Sequence, residues 1–212
     1  MAISTSRAQR APDRAFTLPA VTGPALAALG LLFVVALALT PVEIDRAFSL
    51  PAHPLLLHVP VILVPLLVVA SIALAVLPRW RDRLGVLWGA FAVVCLIATV
   101  LAVGSGEAFL EGRPFVDQVL RDHREAAETL RILTFGLTAA ILVLLAVDWL
   151  RARAVGPAVL RTTGVALAVS ALIVPLSLAT GFFVIRTGHL GAKAAWSREG
   201  GQEGGGGSPP GG

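Results

Sequence analysis

Five stretches of this chain run for sixteen residues or more without a charged side chain: 15–42, 47–78, 84–106, 132–147 and 162–185. A hydrocarbon core about 30 Å thick takes about 20 apolar residues of helix. The fourth run is shorter than that, but Trp149 and Leu150 extend it past Asp148. In lipid every backbone N–H and C=O needs a partner within the protein, which leaves helices or a closed barrel. Runs of this length predict helices, so the expected fold is an all-α integral membrane protein. Composition agrees: 56% of residues are hydrophobic, 14% are charged and the mean hydropathy is +0.83, whereas soluble domains are about one-quarter charged.

Arginine placement gives the direction of crossing. Arg7, Arg10 and Arg14 precede the first span. Arg79, Arg81 and Arg83 separate the second from the third, and Arg151, Arg153 and Arg161 the fourth from the fifth. Five spans put these clusters on one side, which the positive-inside rule makes the cytoplasm. The N-terminus is then cytoplasmic, the C-terminus outside, and the location the plasma (inner) membrane. The other side mixes Arg113, Arg121, Arg124 and Arg131 with acids such as Glu107, Glu111, Asp117 and Asp122. In this setting the net charge of +4 reports orientation and does not imply nucleic-acid binding.

The expected organisation is a basic arm at 1–18, an extra N-terminal helix at 19–46, a four-helix core at 50–197 and a Gly-rich tail at 198–212. The first helix has a rival reading as a signal peptide, with Ala36-Leu37-Ala38 as a small-x-small cleavage site. The tail GGQEGGGGSPPGG has no means of packing.

All four histidines fall on the outer side in this topology. His53 and His58 sit in AHPLLLHVP at the mouth of the second span. His123 lies before the fourth span, in a segment read as an interfacial helix running into it. His189 follows the fifth, in TGHLGAK. His53 precedes Pro54 and suits a helix start. His58 lies deeper in apolar sequence, where an ionisable side chain is costly without a partner. The two are five residues apart, roughly 140° around an ideal helix. Pro60, Pro65 and Pro175 each remove a helical donor and favour kinks. The lone Cys95, inside an apolar run, has no partner for a disulfide and reads as packing.

The order HPLLLHVP, GSGE, DHREAAE, TGHLGAK resembles a bacterial family of four-helix membrane proteins known only as a domain of unknown function. Its marks fall here on His53, Pro54, His58, Pro60, His123, Gly188, His189 and Gly191. The resemblance covers about 50–197 and implies the four-helix core without an activity.

Two chemistries are open to the histidines. A b-type haem could take His58 with His123 or His189 as axial ligands, and Arg186, Arg113 or Arg124 on its carboxylates. A Cu or Zn ion could take His53, His58, His123 and His189, with Glu107 beside them. The alternative is a cofactor-free accessory or scaffold subunit of a membrane complex. Partners are then the lipid bilayer with either a redox partner or other subunits of a complex. The chain has no CxxCH, HExxH, nucleotide loop or serine-nucleophile motif, so hydrolysis and phosphoryl transfer have no support.

Overall fold

A computed structural model describes residues 30, 32–36, 40, 42, 44–111 and 117–203, with side chains through Trp196. The expected basic arm, most of the extra N-terminal helix and residues 204–212 lie outside the described residues. Of the first span, Val34 is fully buried and packs with Leu96 and Val100.

The described chain enters through a two-stranded hairpin, β1 (Arg46–Ala47) paired antiparallel with β2 (Leu50–Pro51). Its turn residues Phe48 and Ser49 both have positive φ, which suits the twist of a two-residue hairpin. There follow α1 (Ala52–Leu56), α2 (His58–Val76), α3 (Pro78–Leu110), α4 (Gln118–Arg153) and α5 (Thr163–Glu203), with a 3-10 turn at Ala158–Arg161. The backbone of α5 continues past Gly200, where the sequence reading places the tail.

Local chemistry sets the helix ends. The second span is continuous, as read: Leu57 between α1 and α2 keeps helical dihedrals, donates to His53 O at 3.0 Å and accepts from Val61 N–H at 3.3 Å, so Ala52–Val76 forms one span. Leu77 leaves helical geometry because Pro78 disfavours it in the preceding residue, and Pro78 then opens α3. Asp117 caps α4 by accepting from the Leu120 N–H at 2.7 Å. The expected interfacial helix is the first part of α4 itself, which runs without a break into the fourth span.

Helices α2, α3, α4 and α5 pack in a closed ring: α2 on α3, α3 on α4, α4 on α5 and α5 on α2. Val64, Leu67, Trp88, Ala92, Leu137, Ile141, Leu144 and Ile173 fill the centre. Val69, Val86, Leu87, Leu167, Phe182 and Ile185 point outward and are exposed. Apolar surface on both the inside and the outside of a bundle is what a lipid solvent permits. Four of these helical segments are long and apolar enough to cross a membrane. Buried polar side chains are partnered inside: Trp88 Nε1 donates to Ser71 Oγ (3.1 Å), and Thr138 Oγ1 reaches both Thr134 O (2.8 Å) and Ala92 O on α3 (3.2 Å).

Candidate functional site at the histidine end of the bundle

The alternation of α2 to α5 leaves two ends. The start of α1, the close of α3, the start of α4 and the C-terminal part of α5 share one end. There His53, half-buried, reaches across to α3. Its Nδ1 donates to the Ala102 carbonyl at 3.1 Å and lies 3.3 Å from Ser105 Oγ. The Ser105 hydroxyl itself donates to Ala102 O at 2.9 Å, so its lone pair is free to accept from His53. The Phe109 ring stacks on His53 at 6.1 Å. His123, also half-buried, donates from Nδ1 to the Thr187 carbonyl of α5 at 2.9 Å.

The two imidazoles meet. Their ring centroids are 6.4 Å apart and their planes cross at 77°. A carbonyl only accepts, so Nδ1 carries the proton in both rings. A neutral imidazole then has its bare lone pair on Nε2. Such a locked Nδ1–H is the usual arrangement of a metal-ligating histidine.

The other two histidines do not join this pair. His58, expected to be the deepest and most important, is exposed, and its Nδ1 donates to Pro54 O in its own segment at 2.6 Å. The reason is the roughly 140° between positions five apart: only one of His53 and His58 faces the bundle, and it is His53. His189 is exposed on α5, so four-fold convergence is corrected to a pair. Among the described residues no three His, Cys, Asp or Glu side chains are grouped to hold a metal ion. Arg186 is exposed with its guanidinium over the Phe183 ring, 5.7 Å from the centroid, and not at the histidine pair. Glu107 pairs with Arg124 at 3.4 Å. Arg113 lies outside the described residues.

At the opposite end lies a second polar centre that the sequence reading missed. Arg81, taken there only as an orientation charge, is 7% exposed. Its Nε donates to Asp148 of α4 at 2.5 Å and its Nη2 lies 3.4 Å from the other carboxylate oxygen. Nη1 reaches Leu74 O, Ala75 O and Ser170 Oγ at 3.3 to 3.4 Å. One guanidinium on α3 thus binds α2, α4 and α5, and it satisfies carbonyls that the end of α2 leaves without helical partners. The signal in the sequence was Asp148, an acid interrupting an apolar run, which demands a cation.

An antiparallel ring of four apolar helices, each long enough to span a bilayer and with its fully buried polar side chains hydrogen-bonded inside, defines a multi-pass helical membrane protein. The family model described as predicted membrane protein (DUF2231) matches residues 49–204, and the chain belongs to that family. No curated protein matches the chain. No solved structure matches it either.

Proposed function

We propose that this protein is a redox component of the plasma membrane that holds a b-type haem iron through His53 and His123 at the outer end of the bundle. One observation carries the reading. Each imidazole is hydrogen-bonded within its own helical hairpin, His53 to α3 and His123 to α5. Neither bond requires the two rings to approach one another, yet they lie 6.4 Å apart. That separation falls in the roughly 5–10 Å range for imidazoles sharing one iron or metal ion between them.

The donor set selects among the cofactors. Two imidazole nitrogens, from His53 and His123, would suffice to hold a haem iron. A Zn site takes three or four protein ligands, and the described residues offer no such group. Haem iron would supply one-electron chemistry; the chain's own part is to hold each Nδ1–H on a backbone carbonyl, which leaves Nε2 bare. Iron, copper, zinc and extractable haem, measured per chain on the detergent-purified protein, test the proposal. About one haem per chain is the expected result. A folded protein with none of these favours the cofactor-free accessory subunit, in which the same hydrogen bonds serve only to join helices.

The orientation belongs to this proposal. The Arg81 end is cytoplasmic and the histidine end faces outward, on the strength of the clusters at 7–14, 79–83 and 151–161. Reporter fusions at Arg81 and after Trp196 should give opposite signals. Equal signals would reject the topology.

A further inference from the structure

The two histidines are seated in the same way. His53 binds the carbonyl of Ala102, and its ring lies against Gly106, four residues further along α3. His123 binds the carbonyl of Thr187, and its ring lies against Gly191, four residues further along α5. A Cβ at Gly106 would fall 3.0 Å from His53 Cε1 and 3.1 Å from Nδ1. A Cβ at Gly191 would fall 3.0 Å from His123 Cε1 and 3.4 Å from Nδ1.

The spacing has a physical cause. In a helix the carbonyl at i takes the N–H of i+4 and keeps a second lone pair. Side chains tilt toward the helix N-terminus, so the Cβ at i+4 leans over that lone pair. Glycine at i+4 uncovers it. The pattern occurs once in each hairpin: α1/α2 with α3, and α4 with α5. In each, the histidine lies near the start of the hairpin and the glycine near its close.

We propose that Gly106 and Gly191 are paired positioning residues. Each exposes one backbone carbonyl that fixes its imidazole in the Nδ1–H tautomer and leaves the Nε2 lone pair presented at the junction of the hairpins. Two presented lone pairs suit an electron-poor ligand, a metal cation or haem iron, and not an anion. The identity of that ligand rests on the proposed function; the seating of the rings does not.

Imidazole ¹⁵N NMR on the full-length protein in detergent separates N–H from bare nitrogen and tests the seating directly. In the wild type, His53 and His123 should both show protonated Nδ1 and bare Nε2. Gly106→Ala should abolish that preference at His53 while leaving His123 unchanged, and Gly191→Ala should do the reverse. Bound haem should fall about tenfold or more in each, as when the outer partners of a ligating histidine are lost. Protonated Nε2 in the wild type overturns the proposal even if neither variant can be purified, and so do unchanged tautomers in both variants. Wild-type tautomers as expected in a chain that binds no haem or metal would reject the proposed function and leave the seating intact.

Discussion

Asp148→Ala should destabilise the folded core by about 3–5 kcal/mol, the usual cost of leaving one charge of a buried ion pair alone. Arg81 has almost no access to solvent, and its guanidinium is committed to Asp148 and to two carbonyls at the end of α2. Without the carboxylate it stays charged, since an arginine does not give up its proton in a protein. Arg151, 3.7 Å from Asp148, adds a second cation to the site. The expected loss is therefore larger than for removing a surface pair, which costs about 0–1 kcal/mol. Unfolding of the detergent-solubilised protein, followed by its helical signal, measures the effect. The double change Arg81→Met with Asp148→Leu should recover most of the stability, because no fully buried charge is then left unpaired and Arg151, which loses its contact with Asp148, is partly exposed to water. A single Asp148→Ala variant as stable as the wild type would mean that the end of the bundle is open to water.

The second large effect is expected on haem binding, if the proposed function holds. His53→Ala and His123→Ala should each remove it almost completely, because a two-ligand site has no spare donor. His58→Ala and His189→Ala should retain it near the wild-type level, since both side chains are exposed and stand apart from the pair. Haem per chain, measured on folded protein from each variant, reads the contrast. Loss in His58→Ala with retention in His53→Ala would restore the assignment suggested by sequence depth and reject the geometry described above.

That reversal shows what the sequence could express. The second to fifth spans were legible because charge is absent from long runs, and lipid leaves few alternatives to helix. The start of α4 was legible too, because helical spacing in DQVLRDHREAAETLRIL continued into the fourth run; the cap by Asp117 was not read from the sequence. The histidine end as a location followed from topology. Which histidine faces inward was not legible, because it depends on the rotation of the helix that starts at Ala52 against α3. Depth in the apolar run pointed to His58; register favours His53. The partners of His53 and His123 are backbone carbonyls, which carry no residue-type signal. Only the glycines that uncover them do, and glycine near a helix end equally serves as a cap or a turn. Arg81 was hidden by its neighbours. In RWRDR it is one of three arginines with the same pattern, and only packing distinguishes the one that turns inward.

The absorption spectrum of the purified protein before and after dithionite tests the central claim most directly. A haem iron held by the His53 and His123 nitrogens should give a Soret band that shifts and visible bands that sharpen on reduction, and the bands should be missing in His123→Ala. A folded wild-type protein without visible absorption in either state would contradict the claim.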